Sequence, residues 1–266
     1  MKNFKIGILG CGNMGEALSL GLRSYSSSGE LYLYNPSLIK SQNLAKKVGG
    51  IVVESLEAMP TDCDWYILTF KPQSLLDFKY TFLANSKILS VLAGVDIETL
   101  SQKFPNTQIA RLMPNTPSRI SAGANLFYSK FNSSDFVKML GSLGKVFVME
   151  SEEQLDKLTA VSGSGPALIF EFARSFYNFA DNSGVNSLVA KEIVYQTFFG
   201  SVKLMEEAMK NNISLDELRD QVTSKKGVTF EALESMKSNH FAKLMSDAFH
   251  SAHKRTLELK EEIKNA

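Results

Sequence analysis

Residues 10–15 read Gly-Cys-Gly-Asn-Met-Gly, directly after the short apolar run Ile6 to Leu9 and before a segment of helical character. A GxGxxG held between a strand and a helix constrains a fold more than any other feature of this chain. Its first glycine allows a tight turn, its second lets a pyrophosphate approach the backbone, and its third lets the helix pack closely on the strand. Gly10, Gly12 and Gly15 fit those positions, and the N-terminus of the following helix then faces the phosphates. The hexapeptide alone is a weak signal. A second strand ending at Tyr34 completes the strand–helix–strand unit that the mechanism requires, so dinucleotide binding is expected here.

The first 150 residues continue in that style, with short apolar runs alternating with helix-length segments, as in a mostly parallel sheet with crossover helices. Strands are expected near Phe4–Leu9, Leu31–Tyr34, Ile51–Val53, Trp65–Phe70, Lys87–Leu92 and Gln108–Leu112, with a weaker pair at Ala124–Tyr128 and Lys145–Val148. Helices are expected in the glycine loop, after Ser37, and after Asp96, a plausible N-cap. From about Glu152 the β-branched clusters thin out and amphipathic helical patterns take over. The division expected is residues 1–150 for dinucleotide binding and 151–266 for a helical domain.

In that second part, the segment opening at Gly165-Pro166 carries Glu171, Arg174, Asn178 and Asp181 at helical spacing, leaving a wide apolar remainder rich in Phe. Such a helix needs burial on most of its sides, so a subunit interface is expected. Further helices are expected near Leu188–Lys210, at Ser214–Val222 with a Ser214–Glu217 capping box, and after Thr229 and Phe241.

Composition excludes other classes. A net charge of +1 with no sustained Lys/Arg run recommends neither nucleic acid nor a membrane as partner. No run of about 18 apolar residues occurs. Cys11 and Cys63 have no paired spacing, so neither a disulfide framework nor a zinc site is suggested, and a reducing cytoplasm fits. Of His240, His250 and His253, the last two share a helix face with no third ligand evident, and no metal is expected.

Several loops carry the chemistry. The second strand ends in Tyr34-Asn35-Pro36-Ser37 with no carboxylate for a ribose 2′-hydroxyl, while Asn35, Ser37 and Lys40 can donate. NADPH is therefore the expected cofactor, with NADH possible. The fourth strand ends in Thr69-Phe70-Lys71-Pro72, placing Lys71 where the carboxyl ends of parallel strands meet a ligand crevice. The sixth runs into Arg111-Leu-Met-Pro-Asn-Thr-Pro117, a loop stiffened by two prolines that presents Asn115 and Thr116. Ser162–Ala167 and Val222–Thr229 are small-residue loops opening onto helices, each able to present free N–H groups to an anion.

In order and spacing, GxGNM at Gly10–Met14, Lys71-Pro72, MPNTP at Met113–Pro117, SGSGPA at Ser162–Ala167 and VTSxxGxT at Val222–Thr229 resemble pyrroline-5-carboxylate reductases, over Ile6 to about Leu259. The resemblance implies an α/β chain with an N-terminal Rossmann domain and a C-terminal all-α dimerisation domain, assembling as dimers and often decamers in the cytoplasm. It implies hydride transfer from NAD(P)H to the imine of L-1-pyrroline-5-carboxylate, giving L-proline as the last step of proline biosynthesis. By position, Gly10, Cys11, Gly12, Asn13 and Met14 would bind the pyrophosphate, and Asn35 and Ser37 the adenosine ribose. Lys71, Pro72 and Asn115 would line the nicotinamide end. Ser224, Gly227, Val228 and Thr229 would hold the substrate, with Thr229 in the catalytic part by orienting the imine nitrogen.

Two positions depart from the family pattern. Lys225-Lys226 stands where Pro-Gly is usual, and Leu56 where an Asn commonly meets the cofactor ribose. A 3-hydroxyacid dehydrogenase would pair similar domains, but it needs a catalytic Lys where this chain has Ala167-Leu168-Ile169-Phe170. A non-catalytic NADP-binding sensor would not need the intact substrate loop that Gly227 and Thr229 preserve.

Overall fold

The computed structural model describes residues 4–265. Eight strands form one sheet in the order β3-β2-β1-β4-β5-β6-β7-β8. They are β1 (Lys5–Leu9), β2 (Glu30–Tyr34), β3 (Ile51–Val53), β4 (Trp65–Leu68), β5 (Lys87–Ser90), β6 (Gln108–Met113), β7 (Gly123–Ser129) and β8 (Gly144–Val148). The first six are mutually parallel, β7 runs antiparallel to β6, and β8 is parallel to β7. Sequence order reverses between β1 and β4, and that switch point opens a crevice at the strands' carboxyl ends.

The inner strands are mainly apolar because both faces of the sheet are covered. On one face Ile6, Ile8, Trp65 and Ile67 pack with Leu18 and Leu22 of α1 (Asn13–Tyr25), Leu44 and Val48 of α2 (Leu38–Val48), and Phe136 and Leu140. On the other, Leu9, Tyr66, Leu68 and Ile88 pack with Leu100 of α3 (Ile97–Lys103), Phe82, Phe104 and Ile263. Asp96 caps α3 by accepting from the Thr99 amide at 2.8 Å.

The remaining helices are α4 (Ser134–Leu140), α5 (Glu152–Ser162), α6 (Gly165–Asp181), α7 (Ser187–Lys210), α8 (Leu215–Gln221), α9 (Val228–Ser238) and α10 (Phe241–Lys264). The capping box at Ser214–Glu217 is present at the head of α8. Helix α4 has no counterpart in the sequence reading, because its seven residues are too few to establish a helical period.

By contacts the chain forms two units, one reaching to Pro166 and resuming at His250, the other spanning Ala167–Phe249. The sheet unit thus extends past residue 150. Arg111 of β6 draws α5 in through Glu152 and Asp156, and Asp96 holds Lys260 and Lys264 of α10 at 3.0 and 3.2 Å. The helical unit leaves broad apolar surface on α6 and α7. Phe170 is 66% and Phe179 81% exposed, and an apolar groove of about 470 Å³ runs past Ile169, Phe170, Tyr195 and Phe198. Among the described residues, no helix is long and apolar enough to cross a membrane.

Candidate active site

The glycine loop leaves β1 with Gly10 at φ +119°, a conformation that L side chains rarely adopt. A Cβ there would also meet the Phe70 amide nitrogen at 2.7 Å. Thr69 fastens this turn to the end of β4, its hydroxyl donating to the Gly10 carbonyl at 2.5 Å. The Gly10 amide donates to the Tyr34 carbonyl at 2.8 Å, so the ends of β1, β2 and β4 are held together around the loop. A Cβ on Gly15 would collide with the Gly10 carbonyl oxygen, so the third glycine is required by the close packing of α1.

Gly12 differs: a Cβ there would meet nothing within 4 Å. It is the N-cap of α1 and makes no side-chain cap, so the first amides of that helix have no helical acceptors. An open Gly12 beside amides without helical acceptors is the kind of cradle that a pyrophosphate fills, and the dipole of α1 favours negative charge there.

Before this cradle lies a cavity of about 760 Å³, whose lining includes Gly10, Gly12, Asn35, Ser37, Lys40 and Lys71. Five predicted cofactor positions lie outside its lining and have other surroundings. Cys11 and Asn13 line a neighbouring cavity of about 260 Å³ together with Lys40, and Met14 packs against the core. Pro72 opens the short 3₁₀ turn that follows Lys71.

Asn115 is also absent from the lining of the large cavity. It is buried and committed at both ends, its Oδ1 accepting from the Ala124 amide at 3.0 Å and its Nδ2 donating to the Ser162 carbonyl at 3.0 Å. Burial pushes the Cys11 thiol up to about 12, so it remains a neutral thiol, donating to the Tyr34 carbonyl at 3.5 Å.

Leu56, which stands where the family commonly has a ribose-contacting Asn, lines the large cavity, as do Thr69, Phe70, Phe78 and Glu57, to which sequence reasoning gave no role there. Thr69 and Phe70 lie beside Lys71 at a strand end already singled out, a signal that could have found them. Glu57 follows β3 and needs the sheet register to be placed.

In the helical unit, the Val222–Thr229 loop closes as a tight turn, with the Gly227 amide donating to the Ser224 carbonyl at 3.0 Å. Lys226 sits at φ +57°, a left-handed position that glycine occupies without strain. A Cβ on Gly227 would displace the Ser224 hydroxyl from its present position. Gly227 is the N-cap of α9, so the first amides of that helix, Val228 and Thr229 among them, are presented together with an exposed Thr229.

Residues 152–259 match the family model described as pyrroline-5-carboxylate reductase dimerisation. Pyrroline-5-carboxylate reductase 1 of Bacillus subtilis is 32% identical over 212 residues, which cover 76% of this chain and 70% of that relative. The chain belongs to the pyrroline-5-carboxylate reductase family. Residues 5–94 match a second model, described as NADP oxidoreductase coenzyme F420-dependent. The pyrroline-5-carboxylate reductase of Pseudomonas aeruginosa is 28% identical over 274 residues, with 99% of each chain covered. Among solved structures, the Plasmodium falciparum pyrroline carboxylate reductase with NADP bound superposes with a TM-score of 0.84 at 27% identity, covering 98% of this chain and 99% of that one.

As a member of this reductase family the chain joins a dinucleotide-binding Rossmann sheet to a helical dimerisation segment. In this chain the Ser224–Gly227 turn closes around Lys225-Lys226 and places a Cβ at φ +57°.

Proposed function

We propose that this protein is an NADPH-dependent imine reductase that converts L-1-pyrroline-5-carboxylate to L-proline, the final step of proline biosynthesis. The observation that carries the reading is the pairing, within a member of this family, of an open glycine cradle at α1 with an intact substrate loop at α9. The amides of Asn13, Met14 and Gly15 would hold the pyrophosphate. Asn35, Ser37 and Lys40 would lie at the adenosine ribose, and Lys71 and Pro72 toward the nicotinamide. Asn115 would act through its hydrogen bonds to Ala124 and Ser162, fixing the loop rather than offering a free amide. When bound, NADPH supplies the hydride that reduces the imine carbon.

The chain's own part is binding and orientation. The first amides of α9 receive the substrate carboxylate, with the helix dipole assisting. Ser224 and Gly227 shape the turn that presents them, and Val228 lends its amide. Thr229 orients the imine nitrogen by a hydrogen bond. An iminium accepts hydride without a strong enzyme acid, so the rate rests on alignment rather than on an acid–base dyad.

The functional division proposed is residues 1–150 for the cofactor and 151–266 for substrate and self-association. The exposed apolar faces of α6 and α7 support a dimer, and the family resemblance supports further assembly to a decamer in the cytoplasm.

The test is loss of NADPH absorbance on adding pyrroline-5-carboxylate. Rapid oxidation is expected, with kcat/KM reduced about a hundredfold or more in Thr229→Ala if the hydroxyl orients the reacting nitrogen. Tight NADPH binding without turnover of the imine would refute the reading.

A further inference from the structure

Nucleotide-binding sheets that use NADH ordinarily place a carboxylate at the end of β2, where it accepts from the ribose 2′-hydroxyl and repels a 2′-phosphate. Here β2 ends in Tyr34-Asn35-Pro36-Ser37, and Asn35 is already engaged. Its Oδ1 accepts from the Cys11 amide at 3.1 Å and its Nδ2 donates to the Ser37 carbonyl at 3.2 Å.

The neighbouring strand supplies what β2 lacks. Strand β3 runs parallel to β2 with Val53 opposite Tyr34, so the residues after Val53 leave the sheet on the same rim as those after Tyr34. They are Glu54-Ser55-Leu56-Glu57, with a 3₁₀ turn beginning at Leu56. Leu56 and Glu57 both line the 760 Å³ cavity that Asn35, Ser37 and Lys40 line.

We infer that Glu57 replaces the missing β2 carboxylate, accepting from the ribose 2′-hydroxyl of NADH and opposing the 2′-phosphate of NADPH that Ser37 and Lys40 favour. This rests on the cavity being the dinucleotide site proposed above. The Glu57 carboxyl is held below the usual carboxylate range by its own amide and by the Ser55 hydroxyl, so it is ionised and steadied at neutral pH. A carboxylate has about four acceptor sites, so those bonds leave capacity for a ribose hydroxyl. Among the described residues Lys40 forms no ion pair, which leaves its ammonium for a phosphate. The two charges thus act in opposite senses on the one group that distinguishes the cofactors. Dual cofactor use follows, and Glu57 sets the ratio.

The experiment is calorimetric titration of the full chain with NADPH and with NADH, for the unaltered protein, Glu57→Gln and Lys40→Met. In Glu57→Gln, NADPH is expected to bind about three- to tenfold tighter and NADH about threefold weaker, the scale of one partly screened charge contact. In Lys40→Met, NADPH should weaken about tenfold while NADH stays within about twofold. If Glu57→Gln moves both cofactors together, or neither, the role given to Glu57 is wrong while the site stands. If the unaltered chain binds neither nucleotide at millimolar concentration, the cofactor site itself is wrong.

Discussion

Arg111 is the largest buried charged side chain of the sheet unit, only 1% exposed, and replacing it by Met isolates what it holds. Its Nη1 meets Glu152 at 2.9 Å and its Nη2 meets Asp156 at 2.8 Å, while Nε has no partner among the described residues. The same Glu152 oxygen also accepts from the Ile97 amide at 3.0 Å. Arg111→Met therefore leaves the nearly buried Asp156 carboxylate without its cation and in the same region as Glu152. Removing one member of a buried ion pair costs about 3–5 kcal/mol. At about 2–4 °C per kcal/mol for a unit of this size, Tm should fall by about 6–20 °C.

Urea unfolding followed through Trp65 reads that cost directly. Trp65 is the only tryptophan, lies in β4 of the same unit, and stacks on Phe136 with ring centroids 4.0 Å apart. The triple variant Arg111→Met, Glu152→Gln, Asp156→Leu is the control. Removing the whole buried charge group while keeping the acceptor for Ile97 should recover most of the loss, since apolar replacement of such groups is often neutral or stabilising. A single variant within about 1 kcal/mol of the unaltered chain, or a triple variant no better than the single, would refute the assignment of the cost to the stranded carboxylates.

Three other outcomes are expected. Lys225→Ala with Lys226→Ala should raise KM for pyrroline-5-carboxylate about three- to tenfold at low salt and flatten its salt dependence, because two exposed ammonium groups attract an anionic substrate through a screened field. Phe170→Asp with Phe179→Asp should convert the protein to monomer in analytical ultracentrifugation at micromolar concentration. Each Phe is worth about 1.5–3 kcal/mol if buried, and a two-fold interface counts each loss twice. For Asp96, burial pushes the carboxyl up, but the Thr99 hydroxyl and amide and the ammonium groups of Lys260 and Lys264 outweigh it and hold it well below the usual range. Its ionic contribution is then complete above the unfolded carboxylate pKa of about 3.9 and is lost as pH falls below it. The stability gap between the unaltered chain and Asp96→Asn, which keeps a capping oxygen, should be open at pH 7 and close toward pH 2 in urea titrations.

The legible parts of the fold are those whose causes are local. The glycine loop could be read because its demands, the φ of Gly10, the open face of Gly12 and the close approach at Gly15, fall within six residues. The strands could be read because a sheet buried on both faces forces unbroken apolar runs. What could not be read depends on partners distant in sequence. Arg111 meets Glu152 and Asp156 from 41 and 45 residues away, and no spacing rule announces it. Glu57 becomes a cavity residue only once β3 is known to pair with β2 in register.

The same distance accounts for the stiffness of Arg111–Pro117. At its head, Arg111 holds Glu152 and Asp156 in the first half of α5, and four residues on Asn115 donates to Ser162 at the end of that helix. Pro114 fixes the backbone between these grips and Pro117 stiffens the exit just beyond them, so one short segment fastens α5 at both ends to the end of β6. A flexible loop could make either bond alone, but making both would cost the entropy of ordering the residues between them at about 1–2 kcal/mol each. On this argument the loop's rigidity serves first to seat α5. Pro114→Gly should therefore lower the stability of the sheet unit before it alters cofactor binding.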